Sequence, residues 1–256
     1  MTIVCKNCKN HFKGKFCSHC GQSADTHDIN MHYLWHEIQH GVLHFDSGIV
    51  FTTKQLFTRP GHAIRDFING KRVQYFKPLA FVFVLATIYG VLTHYFGIKN
   101  FLDGIQIGEN DFEDPRTIDL INNLNKNLIW LRDHYAYSVL LALPITSLAS
   151  YLAFRKKGGN YLKHIILNAY LIGQRRIVNI LFIPLVILPN NTLSSMAVNI
   201  QTIIELFLVF WAYNQYFNYN PGWKNTLRTL LTYLYLGLIL SAAMFYIWIK
   251  AQSLES

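Results

Sequence analysis

The sequence predicts a mainly α, polytopic membrane protein: about five transmembrane helices preceded by a small cysteine-bearing ribbon. Three observations predict it. Four cysteines stand as two Cys-x-x-Cys pairs within the first twenty residues, five long apolar blocks follow residue 77, and the connections between blocks alternate in charge. Composition already excludes an ordinary soluble domain. Apolar residues make up 52% of the chain and charged ones 14%, whereas about a quarter is charged in a typical soluble domain. The 256 residues divide into a ribbon at 1–24, a juxtamembrane region at 25–76 that is amphipathic, His-rich and basic, and a five-helix membrane domain at 77–256 with an outer loop at 98–135.

The ribbon reads Cys5-Lys-Asn-Cys8 and Cys17-Ser-His-Cys20-Gly21, and no other cysteine follows. Each pair can bend into a tight knuckle aiming two thiolates at one point, and the eight residues from Lys9 to Phe16 are about what a hairpin needs to oppose the knuckles. Cys5, Cys8, Cys17 and Cys20 are therefore expected to hold one Zn²⁺. Two disulfides or spare redox thiols are the alternatives. Four thiolates close the coordination shell, so the expected zinc is structural; His11 and His19 are surplus to it. The N-terminus lacks an apolar run, so no cleaved signal peptide is expected before the ribbon.

Five apolar blocks come next: Pro78–Phe96, Ala136–Phe154, Ile165–Leu188, Val198–Phe217 and Thr229–Ile249. Each reaches the ~20 residues a helix needs to cross ~30 Å of hydrocarbon. Orientation follows from the basic residues. Residues 1–77 hold ten Lys/Arg against five Asp/Glu, while 98–135 hold four against seven. Residues 155–163 and 218–228 are again basic and acid-free, and the turn at 189–197 is uncharged. The expectation is a multi-pass protein of a cytoplasmic (inner) membrane, N-terminus and ribbon inside, C-terminus outside. The outer loop has its own apolar rhythm over Ile118–Trp130, which predicts a short helix on the outer surface.

The segment before the first block carries the less usual residues. At 100° per residue, Met31, Leu34, Trp35, Ile38, Val42 and Phe45 fall on one stripe and His32, His36, His40 and His44 on the opposite side, which predicts an amphipathic interfacial helix over 31–45. Within it His36-Glu37-Ile38-Gln39-His40 matches H-E-x-x-H, whose chemistry needs two imidazoles on a metal and a glutamate that activates the bound water. No third-ligand motif follows. Three readings stay open: a metallohydrolase with Glu37 as the catalytic group, a second, non-catalytic metal contact through His36 and His40, and an imidazole face that gains charge as pH falls through ~6.5. A short helix is then predicted between Pro60-Gly61 and Gly70. Arg59, Arg65, Lys71, Arg72 and Lys77 stand beside the membrane, either as a positive-inside anchor or as a cradle in which the first four grip a lipid phosphate or an acidic partner.

In this order these residues resemble a known family. The four-cysteine ribbon, the His-spaced helix ending His44-x-Asp46-x-Gly48, Arg59-Pro60-Gly61, Arg65, Gly70-Lys71-Arg72, Tyr75 and Pro78 are similar to the bacterial domain-of-unknown-function 3667 family of zinc-ribbon membrane proteins. His164 also falls at a familiar position, with Lys163 where an acid is expected. The resemblance implies an integral membrane protein with a cytoplasmic ribbon, and it implies no reaction.

Arg175 and Arg176 lie deep in the third block, where an unpaired cation costs ~2.5–3.5 kcal/mol. Either Gly173-Gln174 breaks the helix, or both arginines face the bundle interior and meet Glu205, leaving a net positive site for an anion, a lipid headgroup or a carboxylate. Asn168, Asn179, Asn199, Gln201 and Asn214 could line the same interior or bond between helices. The leading reading is a non-enzymatic scaffold or sensor whose ribbon and His-rich helix bind a cytoplasmic protein partner or anionic membrane lipids. A transporter or lipid-handling protein using Arg175, Arg176 and Glu205 is the alternative, then the metallohydrolase. Nucleic acid ranks last, because the basic residues hug the membrane.

Overall fold

The computed structural model describes residues 2–26, 29–31, 48–98, 114–155, 159–218 and 222–255. The expected helix at 31–45 falls almost wholly on 32–47, so His36, Glu37 and His40 lie outside the described residues.

The ribbon is a hairpin of two-residue strands, β1 (Ile3–Val4) and β2 (His11–Phe12), paired antiparallel with Ile3 opposite Phe12. Eight helices follow among the described residues: α1 (Gly48–Thr58), α2 (Pro60–Ile68), α3 (Pro78–Tyr95), α4 (Pro115–Asp133), α5 (Tyr135–Ala153), α6 (Tyr161–Val186), α7 (Asn191–Tyr216) and α8 (Gly222–Glu255). Five of them, α3 and α5 to α8, are long and apolar enough to cross a membrane. The shortest, α3, has 18 residues and is about 27 Å long. The longest, α8, has 34, about 51 Å, and must project beyond the hydrocarbon.

Helix ends follow local chemistry. Pro60 and Pro78 open α2 and α3, where a missing N–H costs nothing. Asp114, Asn160 and Asn190 cap α4, α6 and α7 by accepting from backbone N–H groups of the first turn. Gly70 ends the turn after α2 at φ +97°, a conformation that favours glycine. The predicted surface helix exists as α4. A helix the sequence did not announce is α1, whose run Ile49-Val50-Phe51-Thr52-Thr53 favours strand by propensity; Thr52 and Leu56 are buried and hold it by packing.

α6 is the central element, packed on α3, α5 and α7 and touched by α1 and α2. It runs unbroken through Gly173-Gln174, so the proposed break does not occur. Gly173 is there for close approach: a Cβ on it would sit 2.4 Å from the Phe81 ring of α3. The main core gathers Phe67, Phe76, Phe81, Phe154, Tyr170, Tyr213 and Phe217. α8 packs on α5 and α7 and leaves most of its apolar surface exposed, as a lipid-facing helix would.

The five spans alternate in direction, which sorts the connections onto two faces. The ribbon, α1, α2 and the α5–α6 and α7–α8 connections share one face: Asn160 donates to the Ile29 carbonyl, and Gly61 of α2 lies against Tyr216 at the end of α7. α4 and the end of α8 share the opposite face, where Thr117 Oγ1 donates to the Ala251 carbonyl at 3.3 Å.

Candidate functional site

The four cysteine Sγ atoms lie within 4.8 Å of one another. Cys5–Cys20 and Cys8–Cys17 are each 3.6 Å apart, and all four thiols are free. A disulfide needs ~2.05 Å, whereas thiolates ~2.3 Å from a shared tetrahedral metal stand ~3.8 Å apart. The set therefore fits one metal ion. It is the only cluster of three or more such ligands among the described residues.

Two matching knuckles create this geometry. Lys9 N donates to the Cys5 carbonyl and Cys5 N to that of Asn10; Gly21 N donates to the Cys17 carbonyl and Cys17 N to that of Gln22. Each knuckle turns at a left-handed residue, Lys9 at φ +64° and Gly21 at +74°. Gly21 adopts this without cost, while Lys9 is strained there. The bonds turn the backbone around each thiolate pair, and Phe12 and Ala24 pack against the four cysteines.

Next to the second knuckle, Gln22 anchors the ribbon to the membrane domain. Its side chain is buried, and its Oε1 accepts from the backbone N–H groups of both Arg72 and Val73, each at 3.0 Å. Lys6 Nζ adds a bond to the Thr26 carbonyl beside Gly70. The 70–76 segment is itself fixed to the bundle. Thr52 Oγ1 accepts from Phe76 N at 2.7 Å, Tyr170 of α6 donates to the Phe76 carbonyl at 2.7 Å, and Gln174 donates to the Leu56 carbonyl at 2.9 Å. Burial, then Asp66, pushes the Tyr75 hydroxyl up to about 12, so it stays neutral at ordinary pH. A continuous set of contacts thus leads from the cysteine cluster to the central span. Gln22 and Tyr170 carry no motif, and sequence reasoning passed over them; Gln174 entered it only as half of a possible helix break.

The predicted basic cradle is used internally. Asp66 pairs with Arg59 at 3.1 Å and with Lys71 at 2.7 Å. Arg65 donates to the Gln215 and Tyr216 carbonyls at 2.7 and 2.5 Å, satisfying acceptors that the end of α7 leaves open. Arg72 lies over the Phe67 ring and donates to the Phe67 carbonyl. Gly61 permits the crossing: a Cβ would stand 2.3 Å from Tyr216 N.

Inside the bundle the two arginines part company. Arg175 donates to Glu205 at 2.7 Å, and Glu205 also accepts from Asn179 and Gln201, so its oxygens are well supplied. Arg176, one residue on and 100° around the helix, points elsewhere: it donates to the Tyr135 hydroxyl and lies over the Tyr89 and Tyr135 rings at 5.2 and 5.7 Å. The expected meeting of both arginines with Glu205 is corrected to one ion pair and one aromatic cage. Asn168 belongs to another buried group, donating to Ser150 and accepting from Tyr213, while His164 bonds Ser150 through Nδ1.

Residues 46–90 match the family model described as Protein of unknown function (DUF3667), the family that the ribbon and basic motif resemble. The match covers α1, α2, the 69–77 segment and most of α3, which is the platform receiving the ribbon. No curated protein and no solved structure matches this chain.

Proposed function

We infer that this protein is a non-enzymatic docking scaffold of a cytoplasmic membrane, in which a structural Zn²⁺ shapes the ribbon and the ribbon receives an acidic segment of a protein partner. The observation carrying this reading is the pair of bonds from Arg72 and Val73 to Gln22. They hold the metal knob in one position above the first span, as a display surface requires. Zinc is favoured by a closed set of four thiolates, which suits a tetrahedral structural site. Reduced thiols and the surplus of basic residues on that side favour the cytoplasmic face.

The ribbon's surface suits such a partner. Lys6, Lys9, Lys13 and Lys15 stand on a segment, 1–24, with no acid, and Ile3, Val4 and Phe16 are exposed beside them. Arg59 and Lys71 keep 45% and 37% of their side chains exposed while paired, so they can face an anionic leaflet without leaving Asp66. We read Arg175 with Glu205 as a tie between α6 and α7, and caged Arg176 as a tie to α3 and α5, instead of a transport site.

A photo-crosslinking residue in place of Phe16, in the full chain within its own membrane, tests the reading. A discrete protein adduct is expected, lost with Cys17→Ser and weakened by Lys13→Glu with Lys15→Glu. An adduct that persists in both variants, or none under any condition, would refute it.

A further inference from the structure

Two basic residues with a topological explanation in the sequence turn out to share a cavity. Arg155 stands two residues past the end of α5, and Arg228 is the seventh residue of α8; both are on the ribbon face. With Leu152, Ala153 and Tyr235 they line a cavity of about 370 Å³, a size within the ~300–1,000 Å³ of small-molecule sites. No carboxylate lines it. Neither guanidinium has a hydrogen-bond or ion-pair partner among the described residues, unlike Arg59, Arg65 and Arg175.

Two like charges brought to one opening repel, and the arrangement asks for an anion to offset them. Guanidinium forks match phosphate oxygens two at a time, more closely than they match a chloride. The rest of the lining describes what the phosphate is attached to. Tyr235 lies seven residues beyond Arg228, on the same side of α8 and about 10 Å deeper along its axis. Tyr235 thus gives the inner end of the cavity a phenol side chain, which can pack against or donate to the glycerol part of a lipid whose phosphate is held at the rim. Leu152 and Ala153 form an apolar wall, and outside the cavity Leu227, Leu230, Leu231 and Leu234 of α8 are exposed to the surroundings. The opening is cationic at the rim, apolar within, and continuous with a lipid-facing helix.

We propose that Arg155 and Arg228 form a binding site for a phosphate anion, the headgroup of an anionic diacyl phospholipid whose glycerol lies against Tyr235. The site is separate from the ribbon and needs none of its residues.

Native mass spectrometry of the full-length protein, released from vesicles of equal phosphatidylglycerol and phosphatidylcholine with matched chains, tests it. Phosphatidylglycerol should stay bound and phosphatidylcholine should dissociate. Retention should weaken about fivefold for each guanidinium lost and about thirtyfold in Arg155→Gln with Arg228→Gln. Arg155→Lys with Arg228→Lys should keep most of it. Lys163→Gln with Lys224→Gln, removing the same charge nearby, should keep all of it, and parent-like melting of each variant confirms folding. Millimolar inorganic phosphate is the second arm. Arginine-dependent phosphate binding without retention of phosphatidylglycerol would support the anion site and assign its ligand to soluble phosphate. Equal retention of both lipids with phosphate inert, or undiminished phosphatidylglycerol on a folded double glutamine variant, would overturn the proposal.

Discussion

The ribbon and the five-helix bundle are held together by opposite means. The ribbon's strands are two residues long, and its buried apolar set is Cys5, Phe12 and Cys17. So small a core cannot offset the entropy of ordering its backbone, and on the proposed reading bonds from the four thiolates to a metal ion supply the difference. The bundle buries a set of large aromatic side chains around α6 and ties its helices with polar pairs: Arg175 with Glu205, Asn168 with Tyr213, Tyr170 with Phe76. One region should depend on a metal and the other should ignore it. They meet at Gln22.

The largest expected effect breaks the ribbon alone. Cys17→Ser opens the closed thiolate set, removing a stabilisation on the order of 10 kcal/mol for a structural zinc. Metal content should fall from about one per chain to near none, residues 2–26 should become protease-sensitive, and the thermal unfolding of the spans should barely move. A parallel loss in the spans would mean that the two regions form one cooperative unit.

The second effect lies within the bundle. Glu205→Gln leaves Arg175 in the hydrocarbon without a counter-charge, a cost of about 3 kcal/mol, read by unfolding in bicelles. Arg175→Gln in the same chain should recover most of the loss, because the pair is then absent instead of half-present. If the double variant is no better than Glu205→Gln, the acid has a role beyond this ion pair.

Two smaller effects sharpen the boundary between the regions. Gly61→Ala drives a methyl into the backbone of α7, where Tyr216 N cannot step aside, and should destabilise the α2–α7 crossing by about 1–3 kcal/mol while metal content is unchanged. Gln22→Ala leaves two backbone N–H groups without their acceptor, costing roughly 1–2 kcal/mol. It should free the ribbon without emptying it, so bound metal stays and hydrogen exchange at Arg72 and Val73 quickens.

The spans could be read from the sequence because length and hydropathy are local properties, and the cysteine spacing gave the metal set for the same reason. The turn ending at Gly70 was legible through its punctuation, and the helix α4 through its apolar rhythm. What escaped was decided by contacts distant in the chain. α1 has strand-forming residues and is helical because Thr52 and Leu56 are buried. Within the basic cradle, Arg65 bonds the carbonyls of Gln215 and Tyr216, some 150 residues away, while Asp66, the partner of Arg59 and Lys71, stood in plain view in the sequence. Arg175 and Arg176 were read as one site although neighbours on a helix point 100° apart, a geometric fact already available. Gln22 is a lone amide after a knuckle; only the fold shows it holding two parts of the molecule together.

Backbone hydrogen exchange before and after metal chelation, on the full chain in bicelles, tests most directly whether the metal holds the ribbon onto the membrane platform. The expected result is loss of protection in residues 2–26 together with Arg72 and Val73, while the amides of α6 keep theirs. Unchanged protection at Arg72 and Val73 after the metal has left would contradict it.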